Sequence, residues 1–189
     1  MLFIHCSAMS FLSELLLKGI ENPKFVMLAK SGELEIRRYQ PCIAAETIVD
    51  GSMDTAGNSA FGLLAGFIFG KNEGKKSISM TAPVSQQQIG TNTFAVQFMM
   101  PSEWSLQTLP RPLDPRVSLK VLPERTVAVH RYNGGWSLEL YEKELNNLWR
   151  ELQVNNLRPV QGKAPIWARY NSPMAPSFMR TNEIMVEIQ

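Results

Sequence analysis

Few side chains in this sequence could do covalent or metal chemistry, and their spacing argues against most of it. There are two histidines and two cysteines. His5 and Cys6 stand together near the start, in a stretch read as a tail. His130 falls in a strand predicted over 126–132. Two-residue alternation there puts Ala128, His130 and Tyr132 on one face and Val127, Val129 and Arg131 on the other. Nothing pairs His130 with cysteine or carboxylate at metal-ligand spacing, so no zinc site is expected. Cys42 follows Pro41 and has no basic neighbour in the chain to lower its pKa. Two cysteines make no disulfide framework, and reduced thiols are the expectation. Ser77, Ser79 and Thr81 share a stretch of strand with no general base beside them. Glu46 and Glu183 occupy strand positions and are read as solvated carboxylates. The pattern predicts a protein that binds without turnover, not an enzyme.

Composition narrows the class further. At 189 residues, with 44% hydrophobic and 19% charged residues, one domain with a substantial core is the default. The net charge is +2, and no basic cluster exceeds Lys75-Lys76 or Arg37-Arg38, so a nucleic-acid partner is not expected. The ten methionines suit irregular core gaps or an adaptable binding surface. The apolar start Met1-Leu2-Phe3-Ile4 lacks a basic flank and a cleavage site, and no membrane span is found. A cytoplasmic protein is expected, with residues 1–8 as a tail and Met9 as an alternative start.

The elements that would position these residues follow from periodicity and punctuation. Ser10–Lys18 reads as a short amphipathic helix with Ser10 as N-cap, ended by Gly19 and Pro23. Strands are predicted over 24–30, 34–39, 42–49, 77–87, 93–99, 117–122, 126–132, 164–170 and 183–188. The connection from Pro101 to Pro115 carries four prolines and is neither helix nor central strand. Two longer helices are predicted, about 53–69 and 137–153. The order strand, glycine, helix, strand to a proline, strand occurs twice, around Gly51 and Pro83 and again around Gly134 and Pro173. This is a structural duplication with little sequence identity between the halves. The predicted fold class is α+β: duplicated β-α-β-β halves forming a distorted antiparallel barrel flanked by two helices.

The two helices differ. The second has a clean stripe of Leu138, Tyr141, Leu145, Leu148 and Leu152, with Glu139 and Lys143 as an i, i+4 pair elsewhere. In the first, Met53, Ala56, Ala60, Phe61, Leu63, Leu64, Ala65, Phe67 and Ile68 spread over about half the circumference or more, where a surface helix needs roughly 100°. Its remaining sector carries Gly62 and Gly66, which suggest close approach by other backbone or a flat ligand. The excess apolar surface needs a cover: the 10–18 helix, a loop, a partner chain or a bound ligand.

The stretch Gly66–Val84, GFIFGKNEGKKSISMTAPV, resembles the signature of the SOUL/heme-binding protein family, a Met-Thr-x-Pro-Val strand after a helix and a Gly/Asn/Lys turn. Three further stretches fit in order. Phe98–Trp104 is similar to Phe-x-x-Pro-x-x-Trp. Arg131–Gly134 is similar to Arg-Tyr/Phe-Ser-Gly. Ala168–Pro173 with Arg180–Glu183 is similar to Tyr-x-x-Pro followed by Arg-x-Asn-Glu. The resemblance runs from about Lys24 to Ile188. It implies residues 1–23 as tail and short helix and 24–189 as a SOUL-like domain.

The resemblance also implies an apolar cleft for heme or another tetrapyrrole between the first helix and the loop 172–179. Carried onto this chain, Phe61, Leu64, Ala65 and Ile68 would form one wall and Met174, Phe178 and Met179 the other. Lys71, Lys75 or Arg180 would meet the propionates. His130 and the methionines Met80, Met174 and Met179 are candidate axial ligands, although core packing accounts for most of them. The expected role is a heme carrier or buffer. The alternatives are a binding domain for other amphipathic small molecules, similar to effector-binding domains of transcription regulators, and a module that buries the first helix in a protein partner or homodimer.

Overall fold

The computed structural model of the chain describes residues 19–172 and 174–189. The expected 10–18 helix, His5, Cys6 and Pro173 lie outside them. Nine strands form one sheet: β1 (Phe25–Ser31), β2 (Leu34–Tyr39), β3 (Cys42–Asp50), β4 (Val84–Gly90), β5 (Thr93–Met99), β6 (Val117–Leu122), β7 (Arg125–Asn133), β8 (Ile166–Arg169) and β9 (Thr181–Glu187). Two helices accompany them, α1 (Ala56–Ile68) and α2 (Leu138–Val154). All strand pairs are antiparallel, in the order β1-β2-β7-β9-β8-β4-β5-β3-β6, and the sheet curls into a half-barrel.

The duplication organises that order. One half is β3-α1-β4-β5 and the other β7-α2-β8-β9, joined where β4 pairs β8 from Val84↔Arg169 to Gln87↔Ile166. The strand preceding each half pairs with the opposite half: β2 with β7, and β6 with β3. Each half therefore needs the other's leading strand to complete its sheet.

Both helices pack on one face of the sheet. Alternation sends Ala45, Val96, Phe98 and Val117 toward α1, where they enclose Ala60, Leu64, Phe67 and Ile68. Ala128, Tyr132, Trp167 and Ile184 turn toward α2 and meet Tyr141, Leu148 and Leu152. The α2 stripe holds except at its first member, Leu138, which is exposed before the helix settles on the sheet. The Ser137 hydroxyl caps α2, accepting from the Leu140 N–H at 3.3 Å. Lys143 lies nearest Glu144, at 3.9 Å.

The Pro-rich connection covers much of the excess apolar surface on α1. Met100, Trp104 and Leu109 join the α1 core. The backbone of the connection is tied to the turn after the helix by Glu73 N–H to Arg111 O at 2.9 Å and Leu113 N–H to Lys71 O at 3.2 Å. Neither outward glycine meets other backbone: a Cβ at Gly62 would meet open space, and Gly66 is covered by the aliphatic stem of Lys71. The expected strand 77–87 begins only at Val84. Residues 77–83 are irregular, with a cis peptide between Ala82 and Pro83.

Candidate functional site

The expected wall on α1 is divided by the sheet beneath it. Leu64 and Ile68 are 0% and 1% exposed, sealed in the core, and Ala65 is buried beside them. Phe61 is half-buried and packs edge-on against Phe98 at 5.5 Å between ring centroids, turned toward the sheet. The loop side is open. Met174 is 91% and Phe178 62% exposed, while Met179 is half-buried in a short 3-10 turn.

That loop is fastened to the start of α2 by a stack of cations and indoles. Arg180 lies 4.3 Å from the Trp136 ring centroid and donates through Nε to Ala175 O at 2.9 Å. Arg169 lies 5.1 Å from Trp136 and 5.2 Å from Trp167. Lys71 folds over Gly66. His130 is elsewhere, buried under α2 with Nε2 3.0 Å from Glu144 and Nδ1 3.8 Å from Glu151. The pairing with carboxylates that the sequence did not disclose is therefore made across β7 and α2. Among the described residues, no group of three or more His, Cys, Asp or Glu side chains could hold a metal ion.

The four stretches that carry the family resemblance converge instead on two adjoining clefts. The first, about 420 Å³, includes Cys42, Ile43, Thr81, Met99, Met100, Pro101, Trp104 and Lys24. Thr81 holds its floor by donating to Met99 O at 2.6 Å. The Cys42 thiol points to Met99 Sδ at 3.4 Å, so two soft sulfur atoms meet in the cleft. Burial pushes the Cys42 pKa up, and Arg125 pulls weakly the other way. The thiol is thus protonated at neutral pH.

The second cleft, about 310 Å³, includes Phe25, Arg37, Tyr39, Arg131, Tyr170 and Glu183. Arg131, Tyr170 and Glu183 all come from the resembling stretches. Glu183 is buried, contrary to the solvated reading, and accepts from Arg37 Nη1 at 3.0 Å, Arg37 Nη2 at 2.9 Å and the Tyr170 hydroxyl at 2.6 Å. Burial alone would lower the Arg37 pKa, but the Glu183 carboxylate more than offsets it and the guanidinium stays charged. Burial and the Glu183 charge push Tyr170 well above the usual tyrosine range. Glu46 is buried too, paired with Lys120 and accepting from Gln97 Nε2 at 2.7 Å. The strands that bury each glutamate are remote from it in sequence, which is why a strand position alone read as solvated.

The remaining motif residues position these groups. Asn182 accepts from Trp136 Nε1 at 2.9 Å and donates to Gly134 O at 3.1 Å, tying the turn before α2 to β9. Gly134 has φ of 146°, a conformation that excludes most side chains. Asn72 binds the Phe67 and Lys76 carbonyls at 2.7 and 2.8 Å and shapes the basic turn after α1.

The family model for the SOUL heme-binding proteins matches residues 20–187. The chain belongs to this SOUL family. Human heme-binding protein 2 is 31% identical over 160 residues, covering 81% of this chain and 77% of the human protein. Among solved structures, a hydrolase from Listeria innocua has the same fold with a TM-score of 0.60 at 12% identity, over 86% of this chain and 94% of that one. The EcmrR C-terminal domain is similar, with a TM-score of 0.60 at 11% identity over 86% and 99% of the two chains. These remote likenesses concern the SOUL fold alone. Among the described residues, no helix is long and apolar enough to cross a membrane.

Proposed function

We propose that this chain binds heme without turnover, as a carrier or buffer, in the first cleft rather than against Leu64 and Ile68. The observation that carries the placement is the pair of sulfur atoms, Cys42 Sγ and Met99 Sδ, in a cleft of mixed polar and apolar lining to which the family's motifs contribute Thr81, Met99 and Trp104. Heme brings a flat apolar ring, an iron that accepts soft donors and two carboxylates. The residues present fit all three. Met100, Ile43 and Trp104 supply apolar walls, the Met99 thioether is a donor as it stands, Cys42 would become one on giving up its proton, and Lys24 is a cation at the rim. A cleft of about 420 Å³ takes part of a porphyrin and leaves the rest at its mouth. The thiol suits a reducing compartment, in keeping with a cytoplasmic role. The name of the human relative supports the ligand class.

Exposed Met174 and Phe178 favour a second placement, on the 172–180 loop. A hemin titration of the full chain followed by the Soret band separates the two. Saturable one-to-one binding that weakens in Cys42→Ser and Met99→Leu, but not in Phe178→Asp or His130→Ala, supports the first cleft. Loss in Phe178→Asp alone moves the site to the loop, and no saturable Soret shift ends the heme reading.

A further inference from the structure

The second cleft holds two hydrogen-bond donors that the described residues do not use. Among the described residues, the Arg131 guanidinium makes no hydrogen bond or ion pair, although it lines the cleft in a half-buried position. The Tyr39 hydroxyl accepts from Arg37 Nη1 at 3.0 Å and gives its own proton to no described group. The nearby carboxylates, by contrast, are committed. Glu183 takes its three bonds from Arg37 and Tyr170. Glu35 accepts from Arg37 Nε at 2.8 Å, Arg37 Nη2 at 2.5 Å and Lys30 at 2.8 Å. One uncommitted guanidinium therefore sets the sign of the cleft. A cation would have to displace Arg37 from Glu183 and would face Arg131; an anion would meet Arg131 and the Tyr39 proton directly.

The walls are aromatic. Phe25 and Tyr39 lie 5.2 Å apart at 52°, with Tyr170 at the Glu183 side. The Arg37 guanidinium lies over the Phe25 ring, 4.6 Å from its centroid, so a planar ligand is left the remaining aromatic surface of Phe25 and Tyr170. The volume, about 310 Å³, lies at the lower end for small-molecule sites.

We propose that this cleft binds a small aromatic carboxylate, its ring against Phe25 and Tyr170 and its carboxylate on Arg131 and the Tyr39 hydroxyl. The site lies across Asn22 and Pro23 from the cleft proposed for heme and does not depend on that assignment.

The test is calorimetric titration of the full chain with 1-naphthoate and, separately, with 1-naphthylmethylammonium, which carries a similar ring with the opposite charge. The expected result is one-to-one binding of naphthoate and none of the ammonium. Arg131→Gln should weaken naphthoate by at least about tenfold, the loss of one charge-assisted contact. Tyr39→Phe should weaken it by a smaller factor. Thermal melting and hemin titration of each variant show that the fold and the other cleft are intact. The proposal is overturned if the ammonium binds as well as naphthoate, if naphthoate does not saturate, or if folded Arg131→Gln binds it like the wild type. Should Arg131→Gln not fold, unchanged affinity in Tyr39→Phe overturns the proposed hydroxyl contact.

Discussion

Replacing Gly57 by alanine should destabilise this protein, although the same change in an open helix is stabilising. Gly57 lies in the first turn of α1, and the Arg169 guanidinium occupies the space where its Cβ would be. A Cβ there would come within 2.7 Å of Nη1 and closer still to Cζ and Nη2. Arg169 is buried, stacked on two indoles, and donates through Nη2 to Gln86 Oε1 at 3.2 Å. It has no carboxylate partner among the described residues, and burial lowers its pKa to about 10. Moving the guanidinium would forfeit a charged hydrogen bond, about 1.5–3 kcal/mol, and part of a cation-π contact, about 0.5–2 kcal/mol. Alanine returns about 1 kcal/mol of helix propensity. The net is about 2 kcal/mol of destabilisation, which lowers Tm by roughly 4–8 °C for a chain of this size.

Two references make that figure interpretable. Gly62→Ala, in open space on the same helix, should gain up to about 1 kcal/mol. In an Arg169→Met background, Gly57→Ala should lose its penalty and become neutral or stabilising, a coupling of about 2–3 kcal/mol. Urea unfolding followed by tryptophan fluorescence measures all of these. If Gly57→Ala stabilises the wild type as much as Gly62→Ala does, the guanidinium does not lie against α1 and the junction drawn here is wrong.

Two further outcomes follow from the buried polar groups. All four tyrosines have raised pKa values, with burial the largest cause in each. The folded state therefore keeps protons that the unfolded chain releases above about pH 10, so stability falls as pH rises past that point. Absorbance at 295 nm should rise only together with loss of the circular-dichroism signal; tyrosine ionisation near pH 10 in a folded chain would contradict the burial. Glu183→Gln leaves the buried Arg37 with Glu35 as its one carboxylate partner and should cost about 1.5–3 kcal/mol in chemical unfolding, the loss of charge-assisted hydrogen bonds. A cost below about 1 kcal/mol would mean that water or Glu35 compensates Arg37, and the second cleft would need redrawing.

Much of the scaffold was legible from periodicity. Alternation over 126–132 sorts Ala128 and Tyr132 from Val127 and Val129, and the structure sends the first pair to α2 and the second to the other face. The α2 stripe and the glycine before it read directly. Periodicity could not orient α1. When apolar residues span half a helix, the sheet-facing pair Leu64 and Ile68 cannot be told from outward positions until the Pro-rich connection is placed, and that placement rests on contacts such as Glu73 with Arg111. Nor could local pattern reveal the clefts. Cys42 and Met99 are 57 positions apart and meet through the β3–β5 pairing, while Arg37 and Glu183 are 146 apart and meet across β7 because β2 pairs with the opposite half. The available signal was the family resemblance itself: Thr81, Trp104, Arg131, Tyr170 and Glu183 all stand within its motifs.

The exchange of leading strands also explains why the clefts adjoin. Each half closes its sheet with a strand from the other, so the helix-free face runs unbroken across the duplication. The segment before β1 then crosses that face. Its Glu21 is held on both sides of the first cleft, by Ala82 N–H to its carbonyl at 2.9 Å and by Ser102 N–H to its carboxylate at 3.0 Å. Its next two residues, Asn22 and Pro23, line both clefts. The segment is thus a wall common to both clefts, and Glu21 ties it to the same turn that carries Thr81. The duplicated design thus provides two chemically different clefts, one lined with sulfur and the other with guanidinium and hydroxyl groups, that share a wall.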